Sequence, residues 1–224
     1  MEGMHRMFDG VIFDMDGLMV DTEPVWMECW EPALAHFGYP VPPGIADAVR
    51  GSAGDTATRI LHEMVSPQLD TKAFWAYFSS LADKIFSQGV EKKPGLDELL
   101  AYLGERNVPC AVASSSSKEG INRNLRFIGA SNSFQAIVPT SDVSHAKPAP
   151  DIFLEAARRL GTAPSRTMVL EDSFNGVRAG AAGGFFTVMV PDLAQPDDEI
   201  RSVASRVCTS LLEVRDLLAC GEIG

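Results

Sequence analysis

The chain runs from Val11-Ile12-Phe13 straight into Asp14-Met15-Asp16-Gly17-Leu18, and this junction limits the possible folds more than any other stretch. Val11-Ile12-Phe13 is short, apolar and bulky, which reads as a buried strand. Asp-x-Asp-Gly directly behind it sets two carboxylates on a turn at that strand's carboxyl end. Open parallel α/β sheets hold their ligands at this end. One carboxylate can attack while the other moves a proton, and both are the hard oxygen donors that Mg²⁺ prefers. Taken alone, the same residues also fit a solvated Asx-type turn, so the rest of the chain has to decide.

From residue 94 onward, strand and helix patterns alternate. Pro94-Gly95 opens a helix with Leu96, Leu99, Leu100 and Leu103 on one stripe, and Val108 to Ala113 reads as a strand. A helix carrying Ile121, Leu125 and Ile128 follows, then a short strand from Phe134 to Val138. Pro150-Asp151 starts a helix that Gly161 stops, the usual placement of Pro and Gly. Thr167 to Leu170 is the next strand, Gly176 to Ala182 a helix, and Phe185 to Val190 another strand. Such alternation predicts right-handed βαβ units, that is, an α/β Rossmann-like parallel sheet with helices on both faces. Residues 22–90 differ. Trp26, Trp30, Leu34 and Phe37, then Ile60, Leu61 and Met64, then Phe74 to Phe86 keep helical spacing with no strand between them. The expectation is a catalytic core from residues 1–21 and 91–224, with an inserted small helical bundle at 22–90. The aromatic residues Trp26, Trp30, Phe74 and Trp75 read as bundle core, and His36 and His62 as structural.

A net charge of −11 argues against nucleic acid and anionic membrane as partners. It also means that an anionic substrate must be drawn in by local cations. No apolar run is long enough to span a bilayer, and the N-terminus lacks the apolar stretch of a signal peptide. The four cysteines show no metal-type spacing, so free thiols in a reducing cytoplasm are expected.

Four positions at strand ends carry chemistry. Asp14 with Asp16 is the first. Ser114 follows its strand and is read as opening a helix whose N–H groups favour an anion, although a serine run there also fits plain capping. Lys147 stands in His145-Ala146-Lys147-Pro148-Ala149-Pro150, where the prolines stiffen the loop. Glu171-Asp172 directly follows the strand Thr167 to Leu170, where a helix cap is a plausible reading of Asp172 alone but less so of the pair. If these strands are neighbours, paired acids build a divalent-cation site, while serine and lysine hold phosphoryl oxygens.

Asp14-Met15-Asp16-Gly17, Ser114, Lys147 and Glu171-Asp172 resemble, in order and interval, the four motifs of the haloacid dehalogenase superfamily. The helical block resembles that family's four-helix cap. Asp14 to Asp21, Lys147-Pro148-Ala149-Pro150-Asp151-Ile152-Phe153 and Leu170-Glu171-Asp172-Ser173 are similar to its phosphoglucomutase-like branch of sugar-phosphate phosphatases. The resemblance implies Asp14 as nucleophile and Asp16 as proton carrier, with Asp16 also offering its main-chain carbonyl to the metal. It implies Ser114, the Ser115 amide and Lys147 as phosphate holders, and Glu171 and Asp172 completing a Mg²⁺ shell. Glu23, Arg50 and Ser52 are expected to face the substrate from the cap or its hinge.

Dehalogenases of the superfamily lack the acid that corresponds to Asp16, and phosphonate-cleaving relatives carry a small residue there. The alternative to a phosphatase is a β-phosphoglucomutase-type isomerase. Those enzymes resemble Lys-Gly-x-Ser-Arg in the first cap loop, where this chain has Arg50-Gly51-Ser52-Ala53-Gly54, and they carry histidine where it has Trp26. Asp21-Thr22-Glu23-Pro24-Val25-Trp26 instead resembles hexose-phosphate phosphatases. A non-catalytic binder on the same fold is the remaining alternative. The expected partner is a small phosphorylated metabolite, with the chain acting as a cytoplasmic monomer.

Overall fold

Val11, Ile12 and Phe13 belong to a fully buried strand, β1 (Gly10–Phe13), in the computed structural model, which describes residues 8–49 and 54–223. Next come β2 (Val20–Asp21), α1 (Glu23–His36), α2 (Ile45–Val49), α3 (Gly54–Met64), α4 (Thr71–Phe86) and β3 (Glu91–Lys92). The second half continues with α5 (Leu96–Glu105), β4 (Cys110–Ser114), α6 (Lys118–Phe127), β5 (Ala136–Pro139), α7 (Asp151–Leu160) and β6 (Thr167–Glu171). It ends with α8 (Phe174–Ala182), β7 (Phe186–Met189), α9 (Asp198–Val203), β8 (Arg206–Val207) and α10 (Leu211–Cys220). The chain divides into two compact units, Thr22–Val90 and the segments on either side of it.

The larger unit is built on a six-stranded sheet in the order β5-β4-β1-β6-β7-β8, parallel throughout. This is the expected α/β, Rossmann-like architecture. Every residue of β1, β4 and β6 is buried, as a parallel sheet covered on both faces requires. Ile12, Ala111, Ala113 and Val169 pack with Ile152, Phe153 and Ala156 of α7 and with Ala179 of α8. Gly161 ends α7 in the left-handed conformation, at φ 71°, which suits a residue without Cβ. β2 and β3 form a separate antiparallel pair, Val20 opposite Lys92 and Asp21 opposite Glu91.

Strand boundaries shift by one or two residues from the sequence reading. The strand expected from Val108 pairs with β1 only from Cys110, because Pro109 has no N–H to donate and offers its carbonyl to Val11 N at 3.0 Å. Beyond Val190, where the periodic pattern fades, the structure adds α9, β8 and α10. Asp197 and Ser210 cap these two helices, accepting hydrogen bonds from Ile200 N and Glu213 N.

The smaller unit buries Cys29, Trp30, Leu34, Leu61, Phe74 and Phe78 together. Trp30 meets Phe78 edge-on at 4.9 Å between centroids. Asp70 caps α4 by accepting from Ala73 N at 3.0 Å. The short α2, which follows Pro42-Pro43-Gly44, is one helix more than the spacing predicted. His36 stacks on Tyr77 and His62 bonds the Leu69 carbonyl, both within this unit.

Candidate active site

β4, β1 and β6 are adjacent, so the chain segments that leave their carboxyl ends start side by side. Phe13 lies opposite Val112 on one side and Leu170 on the other, and Asp14 N donates to Leu170 O at 3.0 Å. The register alone thus brings Asp14, Ser114 and Glu171 to one edge of the sheet.

Lys147 joins them from the loop between β5 and α7. Its Nζ donates to Asp14 Oδ1 at 2.5 Å, to Glu171 Oε1 at 2.7 Å and to Ala113 O at 3.2 Å. The lysine and both carboxylates are almost entirely shielded from solvent. The second Glu171 oxygen accepts from Ser173 N and Ser173 Oγ at 2.8 and 2.9 Å. Burial pushes the Asp14 carboxyl up to about 7, with Lys147 opposing and Glu171 and Asp16 adding to the rise. Asp172 is raised well above its ordinary value, by burial and then by Glu171 and Asp14. Burial works against the Lys147 charge, but the attraction of Asp14 and Glu171 more than offsets it, so the ammonium persists.

Asp14, Glu171 and Asp172 each present one oxygen within 4.8 Å of the others. When ionised, the three carboxylates outnumber the one ammonium by two charges in a shielded place, a surplus that adds to burial in raising Asp14 and Asp172 as long as no cation offsets it. An all-oxygen donor set with that surplus fits a hard divalent cation. Gly17, at φ 84°, lets the turn pass directly over Asp172, since a Cβ at 17 would overlap the Asp172 carboxylate.

Asp16 points elsewhere. Its Oδ2 accepts from Ser116 Oγ at 2.7 Å and from Ser114 Oγ at 3.2 Å. Burial raises its pKa while these two hydroxyls oppose the rise. Ser114 itself ends β4 and does not open the following helix, contrary to the sequence reading. Three residues further on, Ser117 caps α6 by accepting from Gly120 N at 3.1 Å. Similarly, α8 starts at Phe174 with Ser173 as its cap, so Asp172 is not spent on capping.

The structure therefore gathers Asp14, Asp16, Ser114, Lys147, Glu171 and Asp172. Ser115 follows Ser114 with an exposed side chain. Glu23 is the first residue of α1 in the other compact unit, and Arg50 and Ser52 lie outside the described residues. Ser116 and Ser173 escaped the sequence reading. All four cysteines are free, and burial raises the thiols of Cys29, Cys110 and Cys208 to about 11, about 12 and about 11. Among the described residues, no helix is long and apolar enough to cross a membrane.

Comparison with known proteins gives the family. A family model described as haloacid dehalogenase-like hydrolase matches residues 11–190. The chain is 32% identical over 187 residues to the fructose-1-phosphate phosphatase YqaB of Escherichia coli K12, covering 84% of this chain and 98% of that protein. A solved HAD family hydrolase of Deinococcus radiodurans R1, with bound phosphate and sodium, superposes with a TM-score of 0.76 at 30% identity, covering 97% of this chain and 98% of that one. A β-phosphoglucomutase-like protein of Thermotoga maritima gives a TM-score of 0.77 at 26% identity, covering 94% and 98%. Matched over most of its length by both the family model and a relative, the chain belongs to the haloacid dehalogenase-like hydrolase family.

Proposed function

We propose that this chain is a Mg²⁺-dependent phosphatase of small phosphorylated metabolites, sugar phosphates foremost, working through an aspartyl-phosphate on Asp14. The observation that carries this reading is the shielded cluster in which Asp14 touches Lys147 and shares a cation-sized space with Glu171 and Asp172. Relatives named as a fructose-1-phosphate phosphatase and a phosphorylated carbohydrates phosphatase support the same reading.

The chemical difficulty is that Asp14 is an anion attacking a dianion. Two unit charges 4 Å apart repel by about 4 kcal/mol at an effective dielectric constant of about 20, and a dianion doubles this. Lys147 offsets part of the repulsion. Mg²⁺ held by Asp14 and Asp172, with Glu171 beside them, would supply the remaining charge neutralisation. Asp14 attacks phosphorus as the bond to the leaving oxygen breaks, and Asp16 gives that oxygen its proton. Asp16 then takes a proton from water, whose oxygen attacks the phosphorus and frees both phosphate and Asp14. Ser114 and the Ser115 amide hold phosphoryl oxygens. We assign substrate selection to residues 22–90 acting as the cap, with Glu23, Arg50 and Ser52 as its candidate residues.

A panel of phosphorylated sugars, polyols and nucleotides, assayed for inorganic phosphate with Mg²⁺, tests this. The expected result is release, fastest from small sugar phosphates. Interconversion of glucose 1- and 6-phosphates without release would instead mark a mutase, and no turnover of any kind would mark a binding protein.

A further inference from the structure

We propose that Ser116 is a positioning residue for Asp16, fixing which of its oxygens carries the proton while substrate is bound. The inference rests on the role given to Asp16 above. A carboxylate turns readily about its terminal torsion, which is broad and roughly two-fold, so something must select its orientation. Both side-chain partners of Asp16 lie on Oδ2: Ser116 Oγ at 2.7 Å and Ser114 Oγ at 3.2 Å. Among the described residues Oδ1 accepts no hydrogen bond, which leaves it as the oxygen available for proton transfer.

The two hydroxyls are not equivalent. A serine hydroxyl has one proton to donate. If Ser114 holds a phosphoryl oxygen, its proton turns to that oxygen and away from Asp16. Ser116 then remains as the hydroxyl that keeps Oδ2 engaged. It is also the shorter contact, and its own N–H donates to Ser114 Oγ at 3.0 Å, so the two serines are joined directly. Phosphoryl binding and retention of Asp16 are divided between them.

The test compares Ser116→Ala, Ser116→Thr and Asp16→Asn with the wild type. Each is assayed for kcat/KM on the most rapidly hydrolysed sugar phosphate and on 4-nitrophenyl phosphate, whose leaving group departs without a proton. kcat/KM reports the step that expels the leaving group. Asp16→Asn should depress the sugar phosphate far more than the aryl phosphate. Ser116→Ala should do so about tenfold, in keeping with loss of one charge-assisted hydrogen bond, and Ser116→Thr should restore most of the difference. An equal loss on both substrates in Ser116→Ala, or no loss, would overturn the proposal while leaving Asp16 in its role. An Asp16→Asn variant indifferent to the leaving group would remove that role and this inference with it.

Discussion

Gly176 lies so close to the Glu171 carboxylate that a methyl group at 176 would take the space of Glu171 Oε1. Replacing glycine by alanine in a helix ordinarily stabilises by about 1 kcal/mol. Here the sign should reverse, because Glu171 is fully buried and tied to Lys147 and Ser173. Gly176→Ala is expected to lose about 2 kcal/mol, as overpacked cores do. Gly104→Ala in α5, where a Cβ meets nothing within 4 Å, should gain stability. Urea unfolding of the two variants reads the contrast directly.

Lys147→Met should be poorly tolerated. It removes the cation between two shielded carboxylates and leaves both uncompensated, which typically costs about 3 kcal/mol or more. Phosphatase turnover should fall on the order of 10²-fold, the loss seen when a positioned charge stabiliser is removed. Lys147→Arg should not recover it, since a planar guanidinium cannot replace an ammonium packed against Asp14, Glu171 and Ala113 O. Denaturant melts alongside phosphate release check both halves.

Mg²⁺ should stabilise the fold even without substrate. At about a hundredfold excess over its Kd, binding to the folded chain alone is worth about 2.7 kcal/mol, visible as a rise in Tm. The rise should vanish in Asp172→Asn, and EDTA should abolish turnover until Mg²⁺ is restored. A Tm that ignores Mg²⁺ in the wild type would remove the metal from the scheme.

Phe74 is fully buried in the smaller unit and touches the Trp30, Trp75 and Phe78 rings. Phe74→Ala should cost about 4 kcal/mol, measured by chemical unfolding.

The sheet was legible because its strands are short apolar runs and its helices carry stripes with Pro and Gly at their ends. The gathering of Asp14, Ser114 and Glu171 followed from their places at strand ends, although sequence alone could not supply the strand order that makes those ends neighbours. Ser116 stayed hidden because nothing local marks one serine among four as the partner of an aspartate a hundred residues away. Gly17 and Gly176 were equally silent, since their importance lies in the space that Asp172 and Glu171 occupy. The C-terminal α10 could have been found: Ser210-Leu211-Leu212-Glu213 places a capping serine three residues before a glutamate. That glutamate bonds back to Thr209 N at 2.6 Å.

Release of inorganic phosphate from fructose 1-phosphate in the presence of Mg²⁺, followed for the wild type and Asp14→Asn side by side, bears most immediately on the mechanism. We expect steady release by the wild type and a loss of at least about 10³-fold in the variant, as when a nucleophile is removed. An Asp14→Asn protein that is folded and still turns over at a comparable rate would contradict the assignment of Asp14 and, with it, the whole scheme.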